Sequence, residues 1–243
     1  NSINWNNQVL TSPRKRSIQS CSRLDMKLFA TLLLSLLLVG CKPDAMNVEL
    51  YTTDIDLASN GEVFEVPVKV SFSLLGDDKD GTLDRVTQAS KKYLSTDSSF
   101  SRSKAMMGER LVIDTKLPLG DANSIQKFLK TNTRLAVLEV TSDNGSNLVS
   151  IKATPSLRSF DRELRGINMM LSLDLPAKET TFRVSSDSRK LVEVLATAVF
   201  VSKKPYLQFS KELNRRDSVE ITFSGKEGSV YSEIPPVLKL KLN

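Results

Sequence analysis

The feature that most restricts the fold is an alternation of apolar and polar residues in several parts of the chain. It is clearest in Val63–Phe72 and in the closing Val237–Leu242, where an apolar residue stands at every second position. Successive side chains of a strand point to opposite faces, so this pattern predicts strands with one buried and one solvated face. A chain with this pattern buries its apolar residues in a sheet-based core.

Further strands are predicted where short apolar or β-branched runs lie between turn residues. They are Arg110–Leu117, Leu135–Thr141, Leu148–Ala153, Met169–Leu175, Thr181–Ser185 and Val219–Phe223. Leu191–Val201 fits a helix or a strand, and we favour extended structure there. Asp143–Ser146 contains Asn-Gly, which predicts a tight hairpin because both residues tolerate positive φ. Pro67 predicts an edge strand or a bulge.

Three segments have helical spacing of their apolar residues: Thr82–Leu94, a stretch from the cap Asp121 to Lys130, and Pro155 to about Arg165. Ser95–Ser103 predicts a serine-rich loop between the first helix and the next strand. We therefore expect a β-rich α+β fold with antiparallel sheets and two or three short helices. The last ~60 residues predict a sandwich-like C-terminal part.

A second pattern stands near the start of the chain. From Met26 a single cation, Lys27, precedes the apolar run Leu28–Val39, and the run ends at Gly40-Cys41. As a helix this run spans ~18 Å, too short for the ~30 Å hydrocarbon core of a bilayer. A cation, a short apolar run and a small residue before a processing point are typical of a secretory signal.

Leu38-Val39-Gly40-Cys41 resembles the lipobox of bacterial lipoproteins at every position. The resemblance implies that the Cys41 thiol forms a thioether to diacylglycerol and that signal peptidase cleaves before it. Leu38, Val39 and Gly40 are then the peptidase recognition residues. Two or three acyl chains, each CH₂ contributing ~0.8 kcal/mol, hold such a protein at a membrane. Lys42 stands where Asp retains enteric lipoproteins at the inner membrane, so the resemblance implies an outer-membrane position facing the periplasm.

The resemblance divides the chain into four parts. Residues 1–25 are polar and unpatterned and predict an upstream or disordered segment, and 26–40 are the signal peptide. Residues 41–46 hold the lipidated cysteine and a tether, and 47–243 form the exported β-rich domain, with a split near 154–186 as an alternative. The chain has 2 cysteines, Cys21 and Cys41, so neither falls within the exported domain.

Composition excludes several classes of function. The chain has no histidine, which excludes Ser-His-Asp and Cys-His catalysis and every histidine-containing zinc site. The net charge of +6 comes mostly from basic residues before Lys42, where Asp25 is the only acid. The remaining Lys and Arg are dispersed among Asp and Glu, so the sequence predicts no nucleic-acid partner.

Three short segments approximate the elements of penicillin-binding enzymes: Ser101-Arg102-Ser103-Lys104, Ser142-Asp143-Asn144 and Lys130-Thr131-Asn132. Their order is wrong, because the Lys-Thr element of that family comes last, and the second segment coincides with the predicted hairpin turn. Asp77–Gly81 approximates a calcium loop, but Gly76 and Thr87 stand where acids are needed, which favours a solvated acidic turn. We therefore expect no metal and no cofactor.

Two functions fit these observations. The first is a lipid-anchored envelope lipoprotein with a binding or structural role, not an enzyme, that contacts an envelope or phage protein. The lipobox and the β-rich remainder make the chain similar to small uncharacterised lipoproteins of enteric bacteria and their prophages. The second is a peptidoglycan-directed hydrolase with Ser-Lys or carboxylate chemistry. A deep pocket that holds Ser101 and Lys104 would favour the hydrolase.

Overall fold

Eleven strands and four helices form the described part of the protein. The computed structural model describes residues 44–242, apart from 76, 77, 79, 106, 107, 170, 172, 174, 176 and 225–236, and all described residues belong to the compact unit Gly40–Asn243. In chain order the elements are β1 (Ala45–Tyr51), α1 (Thr52–Ser59), β2 (Phe64–Leu75), α2 (Thr82–Ser90), β3 (Ser99–Ala105), β4 (Gly108–Gly120), α3 (Ala122–Leu129), β5 (Ala136–Asp143), β6 (Ser146–Ala153), α4 (Pro155–Ile167), β7 (Glu179–Ser185), β8 (Val192–Val201), β9 (Lys204–Leu213), β10 (Ser218–Ser224) and β11 (Val237–Leu242).

The strands form one sheet that closes into a nine-strand barrel. Neighbouring strands follow the order β10-β7-β1-β2-β4-β5-β6-β11-β8, and β8 returns to β10, where Phe200 lies opposite Thr222. Strands β3 and β9 lie outside this ring and pair with β4 and β8 respectively. Two of the pairings, β1 with β7 and β4 with β5, are parallel.

The expected antiparallel sheets with two or three helices and a sandwich-like C-terminal part are wrong. Alternation specifies which face of a strand is buried, but it does not specify how the two ends of a sheet meet. Ala198, in the middle of β8, has a φ of 55°. This left-handed residue separates the part of β8 that pairs with β11 from Phe200, which pairs with β10, so the barrel closes around a local distortion of one strand.

The interior of the barrel holds the larger apolar cluster. Its fully buried members include Phe182 of β7, Ile221 of β10 and Leu138 of β5. Helix α1 contacts β1, β4, β5 and β6 and adds Ile55 and Ala58 to the same cluster. Closing a sheet into a barrel requires the inward-facing side chains to fill the interior, and here a helix completes the filling.

A second apolar cluster lies between the sheet and helices α2 and α4. On the sheet side it contains Leu111 and Ile113 of β4, and on the helix side Leu83 and Val86 of α2 together with residues of α4. Positions 111, 113, 117 and 119 alternate along β4, so both clusters lie on the same face of that strand. Among the described residues, no helix is long and apolar enough to cross a membrane.

Local predictions based on turn and cap chemistry are confirmed. The β5–β6 hairpin turns at Asn144 and Gly145, which both have positive φ. Asp121 caps α3 by accepting a hydrogen bond from the Ser124 N–H at 2.7 Å, and Pro155 occupies the first turn of α4. The extended structure favoured for Leu191–Val201 corresponds to β8.

Other local predictions are wrong. The predicted serine-rich loop Ser95–Ser103 contains most of strand β3, and the described residues of Met169–Leu175 belong to no strand. Pro67 lies in β2, which has β1 on one side and β4 on the other and is therefore not an edge strand. The β1 ladder ends at Val68, so at Pro67 the strand pairs only with β4. A proline, which lacks an N–H donor, is tolerated at such a ladder end.

Helix α1 is fixed at its start by a carboxylate distant in sequence. Oδ1 of Asp187 accepts hydrogen bonds from the Thr52 hydroxyl at 3.0 Å and from the Thr53 N–H and hydroxyl at 3.0 and 2.8 Å. Burial alone would raise the pKa of Asp187, but these hydrogen bonds outweigh it and hold the pKa below its ordinary value. Burial and the charge of Asp187 raise the pKa of Asp54 in the same helix.

We expect Asp187→Ala to lower the free energy of unfolding by about 1 kcal/mol at neutral pH, because the first turn of α1 loses its acceptor. The substitution also removes the repulsion between the Asp187 and Asp54 carboxylates, which offsets part of this loss of stability. A carboxyl with a lowered native pKa stabilises the fold above its ordinary pKa, so the difference from wild type should shrink as the pH falls below about 4. Denaturant unfolding at neutral and acidic pH measures both effects.

Asp187→Asn is the matched control, because the amide keeps an acceptor oxygen and removes only the charge. We expect it to lose less stability than Asp187→Ala. Equal stability of wild type and Asp187→Ala at neutral pH would show that this carboxylate does not fix α1.

Candidate ligand-binding cavity

An apolar cavity of about 60 Å³ lies where the two apolar clusters meet. The sheet supplies residues of β1, β2, β4 and β5, among them Met46 and Ala136. Helix α2 supplies Val86 and Ser90, and α4 supplies Phe160 and Leu164, whose i, i+4 spacing places both on one helix face. A void of this size exceeds the roughly 10–15 Å³ that one water needs, and it is smaller than the ~150 Å³ of engineered cavities that bind benzene.

The two hydroxyls that line the cavity are engaged elsewhere. The Ser90 hydroxyl donates to the Val86 carbonyl at 2.7 Å, within its own helix. The Thr115 hydroxyl lies 2.7 Å from the Ser98 hydroxyl and 3.2 Å from that of Ser95. A water in this cavity would therefore find few polar partners, whereas an apolar group would replace a void with dispersion contacts. The cavity is suited to an apolar ligand.

A polar contact joins the two helices that cover the cavity. The Tyr93 hydroxyl, just after α2, donates to Oε1 of Glu163 on α4 at 2.7 Å, and Lys92 lies 3.2 Å from Oε2 of the same carboxylate. The Tyr93 ring also packs on Phe160, with centroids 5.2 Å apart. The hydrogen bond from Tyr93, followed by that from Lys92, lowers the pKa of Glu163. The same hydrogen bond, with burial, raises the pKa of Tyr93.

The acidic turn before α2 has a structural role. Asp78 accepts hydrogen bonds from the Thr82 and Leu83 N–H groups at 2.7 and 3.0 Å. Its side chain is only 2% exposed and lies 3.4 Å from Arg102 of β3. The interpretation of this turn as wholly solvated is therefore wrong for Asp78, which stabilises the start of α2 as an N-terminal carboxylate does. Asp77 lies outside the described residues.

The lipidation site predicted from the sequence lies outside the described residues. Those residues are Leu38, Val39, Gly40, Cys41 and Lys42. The signal peptide 26–40 and the segment 1–25 lie outside them as well. The lipobox and the position implied by Lys42 therefore stay predictions from the sequence.

The three segments that approximate hydrolase elements lie on separate parts of the fold. Ser101 and Lys104 are exposed on β3 and line neither the cavity nor its cover. Ser142-Asp143-Asn144 ends β5 at the hairpin turn, where the Ser142 hydroxyl donates to the Asn147 side chain at 3.0 Å. Lys130-Thr131-Asn132 follows the C-terminal end of α3. No hydrogen bond or ion pair between described residues joins one segment to another.

The sequence patterns did not identify the cavity. The apolar positions of α2 and α4 were predicted to face the core, but a hydrophobic pattern does not distinguish a filled core from one that encloses a void. Among the described residues, no group of three or more His, Cys, Asp or Glu side chains is placed to hold a metal ion.

Comparison with known proteins adds little to these observations. No protein family matches the chain. No curated protein matches it either. Among solved structures, the folded domain of the Mycobacterium tuberculosis LppM protein is similar, with a TM-score of 0.24 and 8% sequence identity, over 75% of this chain and 88% of that one.

We expect Tyr93→Phe to weaken the cover of the cavity while keeping the ring contact with Phe160. A hydrogen bond to a carboxylate contributes about 1.5–3 kcal/mol, and the partial exposure of Glu163 reduces the expected loss to about 1 kcal/mol. Because Glu163 has a lowered pKa, its contribution is present at neutral pH and is lost as the pH falls below its ordinary value. Denaturant unfolding at two pH values and amide hydrogen exchange of α4 measure the effect.

Tyr206→Phe removes a hydroxyl from the exposed strand β9 and is the matched control. Faster exchange in α4 should occur in Tyr93→Phe and not in Tyr206→Phe. If both variants retained wild-type exchange in α4, the contact with Glu163 would not be what holds the helix.

Proposed function

We propose that this chain is a lipid-anchored protein of the bacterial envelope whose folded domain binds an apolar ligand in the cavity beneath α2 and α4. The observation that carries the binding role is the cavity itself, with its apolar lining and its engaged hydroxyls. The lipobox Leu38–Cys41 supports the anchor, and Lys42 supports an outer-membrane position facing the periplasm. A protein partner in the envelope or from a phage stays a prediction.

The proposal assigns binding rather than catalysis to the cavity. Catalytic sites use titratable or nucleophilic groups that face the bound substrate. The cavity lining contains no titratable side chain among the described residues, and its serine and threonine hydroxyls bond to neighbouring protein groups. The hydrolase alternative would need a site elsewhere, built around Ser101 and Lys104 or around paired carboxylates.

Acylation of Cys41 is tested by growing bacteria that express the full chain with labelled palmitate. We expect wild type and Cys21→Ser to carry the label and Cys41→Ser to lose it, because only the lipobox cysteine becomes acylated. The control removes the other cysteine of the chain and leaves the lipobox intact. Label retained in Cys41→Ser, or absent from wild type, would contradict the lipid anchor.

Binding in the cavity is tested on the full chain in phosphatidylcholine nanodiscs with ¹³C-labelled methionine methyl groups. Met46 lines the cavity, whereas Met169 is 86% exposed, so the two methyl signals separate binding in the cavity from general effects. We expect n-hexanol to shift the Met46 signal in a saturable manner and to leave Met169 unchanged. The reason is that an alkyl chain gains dispersion contacts with the apolar lining of the cavity.

Ala136→Val and Ala136→Leu add different volumes to the cavity. If the larger side chain is too bulky for the core, the smaller one should still allow the protein to fold. We expect either to abolish the saturable shift of Met46. Ala122→Leu, on the exposed first turn of α3, adds the same side chain elsewhere and should bind as wild type does. A wild-type Met46 signal that does not respond to n-hexanol would contradict the proposed binding function.

A further inference from the structure

A surface groove beside α4 shares a wall with the cavity. The groove is lined by Leu157, Arg158, Asp161 and Arg162 of α4 and by Leu173, which follows the helix. Leu173 also lines the cavity and is almost fully buried. Leu173 therefore lies at the boundary between an apolar cavity and a groove that carries charged groups.

The charges of the groove are not balanced within it. Oδ2 of Asp161 accepts a hydrogen bond from Nε of Arg165 at 3.0 Å, and Oδ1 accepts one from the Leu173 N–H at 3.0 Å. Both carboxylate oxygens of Asp161 therefore accept hydrogen bonds from groups other than Arg158 and Arg162. Arg162 donates from Nε to the Arg158 carbonyl at 3.4 Å, and neither arginine is in an ion pair among the described residues.

The spacing of the two arginines favours joint action on one ligand group. Residues four apart on a helix lie on the same face, so Arg158 and Arg162 present their guanidinium groups along one side of α4. Both residues are exposed to solvent. Guanidinium groups are suited to carboxylate and phosphate, since their planar N–H donors match the oxygens of both anions.

We propose that the ligand is an amphiphile with a single aliphatic chain and an anionic head group. The chain occupies the cavity, and the head group lies in the groove on Arg158 and Arg162, with Leu173 at the junction. This inference rests on the proposed function, because it names the ligand class of the same cavity. The small volume of the cavity matches a short chain or the end of a longer one.

Three probes with six carbon atoms each separate the head group from the chain: n-hexanol, hexanoate and hexyl phosphate. Each is titrated into the full chain in phosphatidylcholine nanodiscs, which carry no net lipid charge, with the Met46 methyl signal as readout. The variant is Arg158→Gln/Arg162→Gln, both on the exposed side of α4. The control is Arg183→Gln/Arg189→Gln, which removes the same charge from exposed positions that line neither the cavity nor the groove.

We expect at least one anionic probe to bind wild type more tightly than n-hexanol does. Exposed charge pairs contribute up to about fivefold in affinity each, so the α4 variant should bind that probe roughly tenfold more weakly. Its affinity for n-hexanol should be unchanged, and the control should resemble wild type with every probe. Tighter binding of hexanoate or of hexyl phosphate identifies carboxylate or phosphate as the head group.

Equal affinity of wild type, the α4 variant and the control for the anionic probes would overturn the inference. In that case, saturable binding of n-hexanol would leave the proposed function intact. Absence of a Met46 response to n-hexanol would overturn the proposed function and, because the inference rests on it, the inference as well.

Discussion

Closure of the sheet is the constraint on which the rest of the structure depends. Strand β8 pairs with β11 along its first part and with β10 at Phe200, and this second contact turns an open sheet into a ring. Once the ring is closed, every inward-facing side chain must find a partner inside it. Phe182 and Phe223 meet edge to face across neighbouring strands, and α1 contributes Ile55 and Ala58. The left-handed φ at Ala198 is a local strain that the paired strands around it maintain.

The cavity follows from an interruption in the same sheet. Strand β3 pairs with β4 as far as Asp114, and β5 joins the same side of β4 only from Leu119. Thr115 and Leu117 lie between these two ladders and line the cavity. At this point α2 and α4 cover the inner face of the sheet. The void is the space that the side chains of this cover leave unfilled.

The sequence predicted those elements whose signals are local. The Asn144-Gly145 turn, the Asp121 cap and Pro155 at a helix start each act through their own backbone conformation, so the structure confirms them. Helix α1 was missed because its fixing carboxylate, Asp187, lies far along the chain. Strand β3 was missed because its serines are exposed on an outer strand. The cavity, the groove and the barrel depend on contacts between distant residues, which a periodic pattern does not specify.

The proposed anchor and the proposed ligand are linked through the local concentration of the ligand at a membrane. A cavity of about 60 Å³ contacts only a few carbon atoms of a ligand, so its intrinsic affinity for an aliphatic chain is low. Amphiphiles concentrate in bilayers, and a protein held there through Cys41 meets them at a high effective concentration. Weak affinity is then sufficient for occupancy. The arginines of α4 add selectivity, because a cationic groove beside the apolar void favours anionic head groups over neutral ones. In this arrangement the anchor sets the local concentration of the ligand and therefore the occupancy of the cavity. The groove selects the type of head group.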